Sequence, residues 1–359
     1  MLRISRRQEP RVAILLQCLN GNDYHNGIHF QLAAARRRIP YREYQAMRTR
    51  SGLLAAALPL AAALLASACS SSSSQAATGQ AAATSGTISA IGAENEYANV
   101  IAQVGGRYVR VTAILSNPNT DPHTFEASPA VAREVSDASL IVQNGLGYDD
   151  WTTAIENAAP SHGRRVIDVQ HLLGLPDSTP NPHLWYDPAT MPRVASAIAA
   201  DLAGIQPAHA AYFRANAAAF TASQAAWIKA LAAFRAAHPG TPVATTEPVA
   251  DYMLQAAGAD NLTPWLFQAD IMNGTDPSPQ GVAAENALLA QHKVRAFLYN
   301  QQVTDALTSS FISLAHASGI PVVGVYETMP AGYDYQSWMT AEISALGKAV
   351  TSKVSTEHL

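Results

Sequence analysis

The chain alternates short β-rich runs with helical stretches in two separate blocks, and this alternation constrains its fold more than any other feature. In the first block, which starts at Thr87, the β-rich runs are TISAIGA, YVRVTAIL, SLIVQNG and RRVIDV. In the second block they are TPVATT, VRAFLYN and IPVVGVY. The pairs Ser128-Pro129 and Ser278-Pro279 read as the N-cap and first residue of helices, one in each block. This pattern predicts an α/β fold with one parallel, helix-covered sheet per block.

An alanine-rich helical region, residues 188–240, separates the two blocks. Its second part, Ala208 to about His238, would span roughly 45 Å as one helix at 1.5 Å per residue. The pair Pro239-Gly240 ends it. The sequence therefore predicts two α/β lobes, residues 87–187 and 241–359, joined by one long rigid helix, with a cleft between the lobes.

The first 86 residues carry processing signals. Residues 47–69 read MRTRSGLLAAALPLAAALLASAC, a charged start, an apolar run and small residues before Cys69, as in a signal peptide. Cys69 resembles the lipidated cysteine of a bacterial lipobox, although Ala66 stands where leucine is usual. Residues 70–86 form a Ser/Ala/Gly-rich tether. The Arg-rich residues 1–46 indicate either a start assigned too early or an extended leading region.

Charge and cysteine content narrow the function further. Residues 1–68 hold ten arginines and three acidic residues, so the rest of the chain holds 13 basic and 24 acidic side chains, a net charge of −11. Such an anionic body disfavours nucleic acid as a partner and suits cation capture. Both cysteines, Cys18 and Cys69, precede the folded part, which therefore has neither a disulfide nor a thiolate metal site.

Two short segments, TDPHTFE and TPNPHLW, place His123 and His183 directly after a proline. Proline fixes φ and removes a backbone donor, so each histidine is predicted to lie in a rigid, non-helical turn. Histidine is the commonest metal ligand, although a single loop histidine is more often an ordinary surface residue. The repetition of one context predicts two ligands of a single metal site. Asn119 and Asp121 are predicted to orient His123.

Two glutamates complete the predicted ligand set. Glu247 and Glu327 each follow an apolar β-rich run, and open parallel sheets bind ligands beyond the carboxyl ends of their strands. Glu247 could instead be an acid at a helix N-terminus, and Asp305 or Asp334 could replace Glu327 as the fourth ligand. Two histidines and two carboxylates suit one divalent ion, Mn²⁺ or Zn²⁺. The carboxylates favour Mn²⁺ slightly, whereas the Irving–Williams order favours Zn²⁺.

Several segments together resemble the substrate-binding lipoproteins of zinc and manganese ABC importers, the cluster A-I or adhesin-type metal-binding family. They are AENEYANVIAQVGG, ILSNPNTDPHTFEASP, VQNGLGYDDW, NPHLWYDP and VVGVYETMPAGYDYQSWM, and the resemblance extends from about Thr87 to Val350. It implies two lobes joined by a rigid helix, with the metal held between them. It places the first two ligands at His123 and His183, the third at Glu247, and the fourth, usually Asp, at Glu327.

The resemblance implies an extracytoplasmic protein that is not an enzyme and that delivers Mn²⁺ or Zn²⁺ to a membrane permease. We expect a monomer attached to the cell membrane through lipid on Cys69, or a periplasmic protein if Cys69 is not lipidated. Two other hypotheses use the same ligands: a metal-dependent hydrolase, which would need an open coordination position and a base, and a surface adhesin with a structural metal.

Overall fold

The computed structural model describes residues 86–119 and 122–359. The predicted leading extension, the signal peptide with Cys69 and nearly all of the tether lie outside these residues, as does Asp121. Within the described part of the chain, no helix combines the length and the hydropathy that crossing a membrane requires.

The N-terminal lobe is built on a four-stranded parallel sheet with the strand order β2-β1-β3-β4. Its strands and helices are β1 (Ile88–Glu94), α1 (Asn95–Gly105), β2 (Val109–Leu115), α2 (Pro129–Asp137), β3 (Leu140–Gln143), α3 (Asp150–Ala158), β4 (Arg165–Asp168) and α4 (Val169–Leu173). All four predicted strands are confirmed. Ser128 caps α2 as predicted, because its side chain accepts a hydrogen bond from the backbone amide of Val131.

The C-terminal lobe repeats this order, because its parallel sheet runs β6-β5-β7-β8. Its strands and helices are β5 (Thr241–Thr245), α8 (Asp251–Ala257), β6 (Ala259–Asn261), α9 (Trp265–Met272), α10 (Pro279–Ala290), β7 (Ala296–Asn300), α11 (Ala306–Ala317), β8 (Val322–Val325) and α12 (Tyr335–Ser352). The sequence did not predict β6, whose three residues Ala-Asp-Asn include no β-branched or aromatic side chain.

The connecting region contains three helices, α5 (Thr190–Ile205), α6 (Ala210–Ser223) and α7 (Ala225–Ala237). The prediction of one uninterrupted helix is therefore wrong: the ladder is interrupted at Gln224, whose amide bonds to Thr221 O, three residues back. Ser223 Oγ and Gln224 Nε2 both donate to the carbonyl of Phe220, at 2.7 and 3.4 Å. Side chains that bond to backbone carbonyls in this way compete with the helical ladder and bend it.

A single large hydrophobic cluster joins the lobes to the connecting helices. It contains core residues of both sheets and of α1, α5, α6, α7 and α12. Tyr335 at the start of α12 packs edge-on against Trp227 of α7, and its hydroxyl donates to Trp185 O at 2.6 Å. A continuous, closely packed core resists relative movement of the parts that it connects.

Candidate metal centre

The turn that carries His183 is held by the side chain of Asn181. Asn181 Oδ1 accepts a hydrogen bond from the backbone amide of His183 at 3.0 Å and lies 2.7 Å from His183 Nδ1. Asn181 Nδ2 donates to Pro248 O at 2.8 Å, so Oδ1 is the atom left to face the imidazole. Because Oδ1 only accepts, Nδ1 carries a ring proton, and Nε2 is the nitrogen that faces Glu327.

His123 approaches from the turn after β2, which forms a short 3₁₀ helix over Pro122–Thr124. Its side chain is 23% exposed, whereas the side chain of His183 is fully buried. The ring of His123 packs edge-on against Tyr148, with 5.1 Å between ring centroids. The two predicted histidines therefore lie close together, with 6.3 Å between their ring centroids, and His123 is partly exposed to solvent.

Glu327, just beyond β8, is where the two histidines converge. Its Oε2 lies 3.3 Å from His123 Nε2 and 3.2 Å from His183 Nε2, and it accepts a hydrogen bond from the Tyr148 hydroxyl at 2.9 Å. Donor atoms of His123, His183 and Glu327 all lie within 4.8 Å of one another. Among the described residues, these three side chains form the group of potential metal ligands whose spacing suits a single metal ion.

The protonation states in this group suit a cation. Burial lowers the pKa of His183, so its imidazole is neutral near pH 7 and can act as a ligand. Burial alone would raise the pKa of Glu327, but its contacts with His123 and His183 outweigh burial and hold that pKa well below its usual range. The centre therefore presents one carboxylate and two imidazole Nε2 atoms to the same point.

Glu247 is buried beside this group but is not one of its three members. It lies just beyond β5, and its Oε1 accepts from Asn300 Nδ2 at 3.3 Å. The same amide nitrogen donates to Glu327 Oε1 at 2.5 Å. Helix α8 begins only at Asp251, so Glu247 does not lie in the first turn of that helix. Asn300 thus links the two predicted carboxylate ligands.

The other candidates have different surroundings. Asp305 and Asp334 are the N-caps of α11 and α12, each in a capping box with the residue three positions later. Asn119 is exposed, and its backbone amide donates to Asn117 Oδ1 at 3.1 Å. The orientation of His123 by Asn119 and Asp121 stays a prediction, Asp121 lying outside the described residues.

Three residues that contact the predicted ligands were not predicted from the sequence: Tyr148, Asn181 and Asn300. Asn181 occupies the position before Pro-His that Asp121 holds in the first turn, so the repeated motif already carried its signal. Asn300 ends a buried strand, the same feature that identified the two glutamates. Tyr148 follows a loop after β3, and no local pattern marks it.

Two parallel sheets with helical cover and a His₂Glu group, of which His183 and Glu327 are buried, define a two-lobed binding protein with the donor set of a metal site. The profile of the family described as zinc-uptake complex component A, periplasmic (ZnuA), matches residues 93–349. This chain belongs to that family.

Curated proteins that match this chain include a metal-binding lipoprotein. The chain is 30% identical to the manganese-binding lipoprotein MntA of Halalkalibacterium halodurans over 121 residues, which cover 33% of this chain and 40% of that protein. It spans less than half the length of the curated relatives it matches.

Solved structures share the fold. A metal-free periplasmic metal-binding protein from Candidatus Liberibacter asiaticus has a TM-score of 0.62 at 18% identity, over 74% of this chain and 100% of that one. A crystal structure of ZnuA has a TM-score of 0.61 at 22% identity, with the same coverage. At these identities the likeness concerns the fold alone.

Proposed function

We propose that the protein captures one divalent transition metal ion, Mn²⁺ or Zn²⁺, outside the cytoplasm and delivers it to the permease of an ABC importer. The observation that carries this proposal is the convergence of His123, His183 and Glu327, whose donor atoms lie within 4.8 Å of one another in the cleft. Membership of a zinc-uptake family and similarity to a manganese-binding lipoprotein support it.

We assign His123, His183 and Glu327 as three ligands and Glu247 as the fourth. Glu247 is buried and shares the Asn300 amide with Glu327, which places its carboxylate beside that of an assigned ligand. Two carboxylates would balance the charge of a divalent ion, which is the condition for holding it in a buried place.

Capture and delivery fit this chain better than its two alternatives. A metal-dependent hydrolase keeps a coordination position for water and places a general base beside it, whereas here four protein side chains are assigned to the ion. An adhesin would use the metal only as structure. Membership of an uptake family favours transport over both. We also propose that the protein is a monomer and that lipid on Cys69 attaches it to the membrane. The lipid attachment rests on the sequence motif alone.

The test is a metal titration of the purified, metal-stripped protein. We expect wild type to bind Zn²⁺ and Mn²⁺ below the micromolar range in competition with a chelator. We expect His183→Ala, which removes a ligand, to lose more affinity than the roughly 10-fold to 100-fold that is typical for residues that only orient a ligand. His162→Ala is the matched control, because His162 is exposed on the loop before β4. Wild type that binds neither ion below micromolar concentration would contradict the proposal.

A further inference from the structure

Asn300, the last residue of β7, lies between the two carboxylates of the centre. It is 1% exposed, and its Nδ2 donates to Glu327 Oε1 at 2.5 Å and to Glu247 Oε1 at 3.3 Å. The amide group has two N–H bonds, so it can serve both acceptors at once.

The orientation of this amide is determined by the backbone around it. Asn300 Oδ1 accepts from the backbone amide of Gln302 at 3.0 Å, and the backbone amide of Asn300 donates to Thr246 Oγ1 at 3.1 Å. A flipped side chain would put Oδ1 against two carboxylates and leave the Gln302 amide facing an NH₂ group. The NH₂ group is therefore the end that faces the ligands.

The two oxygens of Glu327 consequently have different partners. Oε1 accepts from Asn300, while Oε2 faces both imidazole Nε2 atoms. For Glu327 to chelate an ion through both oxygens, Oε1 would have to give up or share a hydrogen bond with a buried donor, which is costly. The geometry favours ligation through Oε2 alone. The contact of Asn300 Nδ2 with Glu247 Oε1 likewise favours ligation by Glu247 through one oxygen.

The number of ligating oxygens distinguishes the two candidate ions. Zn²⁺ is satisfied by four ligands in a tetrahedron, whereas Mn²⁺ is typical of six-coordinate, oxygen-rich sites, which chelating carboxylates help to build. We propose that Asn300 is a specificity-determining residue, which restricts Glu327 and Glu247 to one oxygen each and thereby favours Zn²⁺ over Mn²⁺. This inference rests on the proposed function, because it takes both glutamates as ligands.

The first experiment compares affinities for Zn²⁺ and Mn²⁺ in the whole protein, its Asn300→Ala variant and Asn261→Ala. Asn261 is the matched control: it is an asparagine at the end of β6 in the same sheet, and its Nδ2 contacts Thr245 and Asp251 rather than the predicted ligands. We expect the preference for Zn²⁺ to fall about tenfold in Asn300→Ala, in line with the usual effect of residues that orient metal ligands, and to be unchanged in Asn261→Ala.

A second measurement includes wild type alone as a decisive sample, so it tests the inference even where the variant fails to fold. Co²⁺ substitutes for either ion, and its visible absorption is strong in four-coordinate sites and weak in six-coordinate ones. We expect the strong spectrum from Co²⁺-loaded wild type and a weaker one from Asn300→Ala. A weak, six-coordinate spectrum from wild type overturns the inference, as does an equal loss of Zn²⁺ and Mn²⁺ affinity in Asn300→Ala. If wild type binds neither Zn²⁺ nor Mn²⁺, the proposed function fails and this inference fails with it.

Discussion

At the scale of single residues, the centre is organised around one oxygen atom. Glu327 Oε2 accepts a hydrogen bond from the Tyr148 hydroxyl at 2.9 Å. It also faces the Nε2 atoms of His183 and His123 at 3.2 and 3.3 Å. The ligating atoms of His123, His183 and Glu327 therefore already lie close enough together to bind one small cation. Asn181 and Asn300 prepare two of these donors, one by fixing a histidine tautomer and the other by engaging the second carboxylate oxygen. Preparation of this kind removes part of the ordering cost of binding.

The residue-scale prediction concerns Asn181, which supports His183. In Asn181→Ala, His183 loses the acceptor of its Nδ1–H and the turn loses an acceptor for its backbone amide, so we expect Zn²⁺ affinity to fall about 10-fold to 100-fold. Chelator-competition titration measures this fall. Asn216→Ala is the control, because the Asn216 amide donates to the backbone carbonyl of Val104 in α1 and to none of the predicted ligands. Equal affinity in Asn181→Ala and wild type would show that His183 needs no such support.

At the scale of elements, helix termini decide the roles of the remaining acidic residues. Asp334 accepts from the backbone amide of Ser337 at 2.8 Å, and Asp305 accepts from that of Thr308 at 2.7 Å. In both cases the hydroxyl oxygen of the residue three positions later accepts a hydrogen bond from the N-cap backbone amide, so the first turn of the helix is closed. These aspartates therefore have a local reason for their positions that does not involve a metal.

The element-scale prediction follows from these caps. Asp334→Ala should lower the free energy of unfolding by about 0.5–2 kcal/mol, the usual cost of losing an N-cap, while Zn²⁺ affinity stays at the wild-type value. Chemical denaturation without metal and chelator competition measure the two quantities, and Asp305→Ala should behave in the same way. A loss of affinity in either variant comparable to that of Glu327→Ala would contradict this prediction and make that aspartate a candidate ligand.

At the scale of the whole molecule, the core that joins the lobes contains a buried carboxyl group. Glu342 of α12 accepts from Trp338 Nε1 at 2.9 Å and from the Tyr186 hydroxyl at 3.3 Å. The same hydroxyl donates to Tyr326 O, the residue before the predicted ligand Glu327. Burial raises the pKa of Glu342 to about 8, against these hydrogen bonds, which lower it. The hydrogen bonds that link the hydrophobic core to the metal centre therefore include the Glu342 carboxyl, which is neutral in mildly acidic solution.

The whole-molecule prediction is a pH dependence of stability. A carboxyl whose pKa rises from 4.5 in the unfolded chain to about 8 on folding is easiest to bury below pH 4.5, and its contribution to stability is lost as the pH rises toward 8. Between pH 5 and pH 8, Glu342→Gln should therefore lose about 3 kcal/mol less unfolding free energy than wild type. Denaturation in the presence of a chelator at both pH values measures this difference. Glu134→Gln, exposed on α2, should follow wild type, and a Glu342→Gln curve parallel to that of wild type would contradict the prediction.

Much of the fold was predictable because its signals are local. The β-rich runs, the Ser-Pro caps and the prolines before His123 and His183 each act within a few residues, and they identified seven of the eight strands in the described residues. The break at Gln224 escaped prediction because it depends on which rotamers Ser223 and Gln224 adopt, and composition favours helix on both sides.

Local sequence patterns identify the two helix-covered sheets, seven of the eight strands in the described residues and the residue types at the strand ends. Which of those residues meet depends on tertiary packing. Asn300 lies 53 positions from Glu247 and 27 from Glu327, and Tyr148 lies 179 positions from Glu327. Contacts over such separations depend on how two sheets and a shared core pack together, and packing is a property of the whole chain that no local pattern contains.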